Sequence, residues 1–184
     1  MFSTSQYDRN GFTLIELIIV IAIVGTVALF ASSAASAAIN ASRTSNSVSN
    51  LFAALTRARS FAATSAVDVV LCPSSDGIAC ASGYRWEGGW IAFVASHAGS
   101  DRTADEPILL RQAALPSKVH LITSAGRTRV RFQPSGGNAG SNVTFTFCDG
   151  RGAGSASAYA MANSGTLHSV PTEIAYVAQA CAGR

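Results

Sequence analysis

The spacing of apolar residues changes twice along the chain. Phe12–Phe30 is apolar almost throughout, holds one charge, Glu16, and is followed by no further charge before Arg43. As a helix these 19 residues rise about 28 Å at ~1.5 Å per residue. That approaches the ~30 Å hydrocarbon thickness of a bilayer. The next stretch, Ala31–Ala41, is rich in Ala and Ser, which let helices approach closely. From Val48 the pattern becomes amphipathic. Val48, Leu51, Phe52, Leu55, Ala58 and Ala62 recur at helical spacing, and Arg43, Arg57 and Arg59 fall off that stripe. No proline interrupts 12–66, so one long helix is predicted, with Gly25 and Ser32-Ser33 as positions where it could bend.

After Ala66 the period falls to two. Val67–Cys72, Trp90–Ala95, Ile108–Gln112, Val119–Thr123, Arg127–Gln133 and Val143–Cys148 read as strands, and Ser157–Ala162 and Ile174–Ala178 as weaker ones. Gly- and Ser-rich turns separate them. The expected class is α+β: a long amino-terminal helix, half transmembrane (about 12–31) and half amphipathic, packed on an antiparallel β-sandwich-like head over 67–184.

Glu16 needs an explanation. A carboxylate in lipid costs ~2.5–3.5 kcal/mol at the centre of a helix and less near its end. No cation lies within the segment. Cleavage after Gly11 would create an amino group on Phe12, on the same chain or on a neighbouring copy. The order of polar leader, Gly11, Phe12-Thr13-Leu14-Ile15-Glu16 and apolar helix resembles the type IV prepilin signature. The resemblance implies a leader over 1–11, cleavage between Gly11 and Phe12 by a prepilin peptidase, N-methylation of Phe12, and Glu16 as an assembly charge. An ordinary secretory signal, cut near Ala35-Ser36-Ala37, fits less well. Its leader would carry only Asp8 and Arg9, and Glu16 would interrupt its apolar core. A plain membrane anchor leaves Glu16 unexplained.

Net charge is +3, too small to imply a polyanion partner by itself. Residues 67–113 carry three Arg and six acids, whereas 114–184 carry six Lys or Arg and two acids. Such asymmetry can orient subunit packing or concentrate a basic patch. The four cysteines, Cys72, Cys80, Cys148 and Cys181, show no C-x-x-C spacing, and His97, His120 and His168 lie apart from them. Zinc is therefore disfavoured, and export favours disulfides. Three pairings are open. Cys72–Cys80, around Pro73–Gly77, and Cys148–Cys181, tying down the tail, are preferred.

Within prepilin-like proteins, the head resembles the GspH/FimT family of minor pilins and pseudopilins. The matching residues are Leu51–Ala66, Val70–Gly77 with Cys80, Trp86–Phe93, and Val130–Asp149 ending in Thr144-Phe145-Thr146-Phe147-Cys148-Asp149. The resemblance implies a filament subunit, with other pilin or pseudopilin subunits and the prepilin peptidase as partners. It implies a single-pass inner-membrane precursor with a periplasmic head, later part of a pilus or pseudopilus. The expected function is a FimT-like minor type IV pilin; the alternative is a GspH-like pseudopilin of type II secretion that binds no DNA.

Double-stranded DNA is the candidate additional partner. For a DNA-binding member the FimT resemblance implies a basic G-R-x-R element after the Cys-Asp block; it is absent from Asn163–His168, but Gly126-Arg127-Thr128-Arg129 has that form and continues to Arg131. On a strand Arg127, Arg129 and Arg131 would share one face, ~6–7 Å apart, and could follow a phosphate backbone. Arg151 could extend the patch. The competing expectation is a half-exposed strand whose arginines meet the acids of Ser96–Glu106. No catalytic motif is present, so no enzyme and no cofactor are expected. Asp101, Asp105 and Glu106 lack the order of a calcium loop. Trp86 and Trp90, flanking Gly88-Gly89, read as core residues.

Overall fold

The computed structural model describes residues 12–96, 98–99, 101–138, 140 and 142–182, without the side chains of 28–33. The expected leader, Gly11 included, lies outside the described residues. Helix α1 runs Leu14–Ser65, followed by β1 (Asp68–Pro73), β2 (Trp90–Ala95), β3 (Ile108–Gln112), β4 (His120–Thr123), β5 (Val130–Phe132), β6 (Val143–Cys148), β7 (Ser157–Met161), β8 (Leu167–Val170) and α2 (Ile174–Cys181). Two compact units divide the chain, one ending at Ala38 and the other beginning at Ile39.

In the first unit, Phe12, Leu14, Ile15, Leu17, Ile21 and Val24 are all exposed. The helix is continuous through Gly25 and Ser32-Ser33. Thr13 stands just before it. Its Oγ1 accepts the main-chain N–H of Glu16 at 3.3 Å, which satisfies one of the amide donors that a helix start leaves unpaired. Among the described residues no helix is long and apolar enough to cross a membrane. The expected span of 12–31 includes positions whose side chains are not described.

In the second unit, two four-stranded sheets form, ordered β3-β2-β1-β5 and β4-β6-β7-β8. All named pairs are antiparallel. Period-two alternation decides which side chains face inward. Val69 and Leu71 of β1, Trp90 and Ala92 of β2, and Phe145 and Phe147 of β6 join Leu51, Leu55, Ala58 and Ala62 of α1 in one buried cluster. The amphipathic stripe thus fills the space that the two sheets would otherwise leave open. The alternate residues of β1 and β2 (Val70, Cys72, Ile91, Phe93 and Ala95) build a second cluster on the outer face of the first sheet. Trp86 and Trp90 are fully buried. Trp86 meets Phe145 edge-on, with ring centroids 5.6 Å apart, a favourable aromatic geometry.

Three elements differ from expectation. Residues 174–178 are helical, not a strand. Val177, Ala180 and Cys181 recur at helical spacing, and Ala180, with Tyr176 and Cys181, packs with Ile122 and Cys148 on the outer face of the second sheet. Strand β5 covers Val130–Phe132 rather than 127–133. A turn closed by the Arg127 N–H to the Ser124 carbonyl at 3.0 Å, with Gly126 at φ 74°, occupies the expected start. Strand β8, Leu-His-Ser-Val, carries no alternating apolar signal and is held by pairing with β7.

Candidate functional site

Phe12 and Glu16 sit at the exposed start of α1. Among the described residues Glu16 makes no ion pair, so its carboxylate is available to a partner. Gly11 lies outside the described residues, so the cleavage point itself has no described geometry.

The four candidate arginines divide between two places. Arg129 donates to Asp101, with Nη2–Oδ1 at 2.6 Å and Nε–Oδ1 at 3.1 Å. Arg131 pairs with Asp68 at 2.8 Å and donates to the Gly99 carbonyl. These bonds pin the segment after β2 to β1 and β5. Arg127 is exposed on the turn before β5, outside the strand. Arg151 is elsewhere, gripping Asp149 through Nη2–Oδ2 at 2.7 Å and Nε–Oδ1 at 3.0 Å. Arg129, Arg131 and Arg151 are therefore committed to carboxylates, Arg129 to an acid of Ser96–Glu106 as in the competing expectation and the other two to acids outside it, and no continuous basic face forms from the four.

Asp149 is the most elaborately held acid. Its side chain is buried. It accepts Thr44 Oγ1 at 2.5 Å and the Arg151 main-chain N–H at 2.9 Å. The Arg151 guanidinium, joined by these bonds and opposed by burial, holds its carboxyl down at about 2. Asp149 holds the guanidinium of Arg151 above its ordinary value in turn. Thr44 belongs to α1, so this network ties the helix to the end of β6. Sequence reasoning missed Thr44; a lone Thr in a Ser/Thr-rich helix gives no signal of a partner more than a hundred residues away.

The 96–107 segment is organised around Glu106, which is 1% exposed. Glu106 accepts the Ser96 N–H at 2.7 Å, Ser96 Oγ at 3.0 Å and the Thr103 N–H at 2.9 Å. It clamps a loop. Among the described residues no group of three His, Cys, Asp or Glu side chains could hold a metal ion.

Disulfides join Cys72 to Cys80 and Cys148 to Cys181. The first closes a loop in which Asp76 Oδ1 accepts the N–H groups of Ile78 and Ala79 at 2.8 and 2.9 Å. These bonds, with Ser74, hold the Asp76 carboxyl below its ordinary value. Arg111 Nε donates to the Gly77 carbonyl at 2.7 Å from outside the loop. The second disulfide anchors α2 to the end of β6.

The comparisons with known proteins agree with this architecture. The family model of the type II transport protein GspH matches residues 47–165, and that of the prokaryotic N-terminal methylation motif matches residues 7–32. No curated protein matches the chain in sequence. Among solved structures, the type IV minor pilin FimU of Pseudomonas aeruginosa PAO1 is similar, with a TM-score of 0.56 at 15% identity over 70% of this chain and 88% of that one. The minor pseudopilin EpsH from the type 2 secretion system of Vibrio cholerae aligns over 70% of this chain and 96% of that one, at 13% identity and a TM-score of 0.48. With its family match spanning residues 47–165, from the amphipathic part of α1 to the end of β7, the chain belongs to the GspH family of type II transport proteins, and it carries the amino-terminal methylation motif.

Proposed function

We propose that this protein is a minor pilin of a type IV pilus. It is made as a precursor, cleaved between Gly11 and Phe12 by a prepilin peptidase, methylated on Phe12, and packed into a filament through the apolar start of α1. The observation that carries this reading is a methylation motif at residues 7–32 leading into a helix whose large apolar residues are exposed. Exposed apolar surface on that scale requires a covering partner. An inner membrane covers it before assembly, with the head in the periplasm, and other subunits cover it afterwards. Glu16 then neutralises the new amino group of a neighbouring Phe12. The chain itself performs no chemistry; it is a substrate of processing.

A second reading, a pseudopilin of type II secretion, is favoured by the GspH family match itself. Deleting the gene separates the two: loss of surface pili with normal protein secretion supports the first, the reverse supports the second. DNA is not part of the proposal, because Arg129, Arg131 and Arg151 already hold carboxylates. Intact-mass and amino-terminal peptide measurements on membrane fractions test the processing. A chain beginning at methylated Phe12 is expected, and a chain beginning at Met1, or cut near Ala37, contradicts the reading.

A further inference from the structure

A groove of about 250 Å³ runs between α1 and β3, walled by Arg57, Ala58, Phe61, Leu109 and Leu110. Apart from one guanidinium its side chains are apolar. β3 is an edge strand of the first sheet. Its pairing with β2 shifts register between Ala92 and Phe93 and leaves Leu109 without a partner. Irregularities of this kind re-aim side chains at sheet edges, and here the successive leucines Leu109 and Leu110 both pack against the core cluster that α1 shares. Phe61 is left 39% exposed. The Arg57 side chain is exposed and makes no hydrogen bond or ion pair among the described residues. The groove therefore suits an apolar side chain with an acid beside it.

The same chain carries such a pair. Ile174, the first residue of α2, is 89% exposed. Glu173 precedes it, is exposed, and makes no side-chain cap to the helix. It forms no ion pair among the described residues either. Beyond the first unit, and apart from Phe61 itself, the other exposed large apolar residues are Ile39, Ile78 and Tyr84. Ile39 has no acid within four residues. Ile78 follows Asp76, whose carboxylate is spent on its own loop. Tyr84 adjoins Arg85, which Arg57 would repel. Only Ile174 joins an exposed apolar side chain to an unused carboxylate. Complementary charge of this sort fixes partner and register more than it adds affinity.

We propose that the groove takes Ile174 of a second copy of this chain, with Glu173 of that copy paired to Arg57. α2 packs on the outer face of the second sheet, whereas the groove lies at an edge of the first. The two surfaces differ, so the contact is head-to-tail, and each copy keeps one unused half for the next. Both halves belong to the second unit, and the contact does not depend on the filament reading.

The test places a photoreactive benzoylphenylalanine at the exposed position of Ala175 in the full chain in detergent micelles. After irradiation a covalent dimer is expected, with position 175 joined to 57–61 or 108–110 by peptide mass spectrometry. Ile174→Asp should lower its yield about tenfold. Glu173→Arg should lower it about fivefold, and adding Arg57→Glu should restore it. All three residues are exposed, so these variants leave the core intact. No dimer, links that map elsewhere, or a yield unchanged by both Ile174→Asp and Glu173→Arg overturns the proposal. So does irradiation of whole cells that gives only an adduct to a different polypeptide, which assigns Ile174 to another partner.

Discussion

Asp149 shows how one buried side chain secures a helix against a sheet. Its carboxylate meets α1 through Thr44 and its own turn through Arg151. Because its folded value lies near 2, below the usual 3.8, the charged form stabilises the fold above about pH 4. That contribution is lost as pH falls from about 4 to about 2. The span corresponds to about 2 kcal/mol. Urea denaturation of the full chain in micelles at a series of acidic pH values should show this decline, and Asp149→Asn should flatten it. The arginines lead to an opposite expectation. Replacing Arg127, Arg129 and Arg131 together with Gln should leave gel-shift behaviour toward double-stranded DNA unchanged at moderate salt. A retarded wild-type band abolished by the triple variant would reinstate DNA as a ligand. Their charge pattern was visible in the sequence. Asp101 lay among the acids expected to meet them, but Asp68 did not, because it reaches Arg131 only through the pairing of β1 with β5.

At the scale of elements, apolar periodicity carried most of the information. The stripe from Leu51 to Ala62 and the alternation in β1, β2 and β6 both point to the side that is buried. Leu51 and Leu55 are at most 2% exposed. Leu51→Ala or Leu55→Ala should therefore cost about 2–5 kcal/mol by denaturation, whereas Arg57→Ala, on the exposed side, should cost little. Short polar elements were harder to read. Strand β8 has no apolar rhythm, and Ile174–Cys181 is short enough that its apolar residues suit either period. The fold of that tail depends on Cys148–Cys181. Replacing both cysteines with Ser should cost about 2–4 kcal/mol and expose α2 amides to hydrogen exchange first. Gly89 marks another long-range dependence. Its φ is 106°, and a Cβ there would collide with the Gln112 carbonyl of β3. The Gly-Gly pair was legible as a turn before β2, but the close approach of β3 was not.

For the whole molecule, the division at Ala38/Ile39 matches a division of labour. The second unit buries its own core between two sheets and one helical stripe, and both disulfides lie within it. The described part of the first unit is apolar helix with exposed large side chains, and it carries one carboxylate four residues past the proposed new terminus. Within a shared apolar environment an unpaired carboxylate is costly, so pairing with a neighbour's amino group is strongly favoured over leaving it alone. On the proposed reading, assembly is thereby tied to processing, because cleavage creates the amino group that Glu16 pairs with. The most direct measurement is the amount of Glu16→Ala protein in purified filaments relative to the membrane fraction. The account predicts that the variant is cleaved and present in the membrane but strongly depleted from filaments. Wild-type levels of Glu16→Ala in filaments would contradict it.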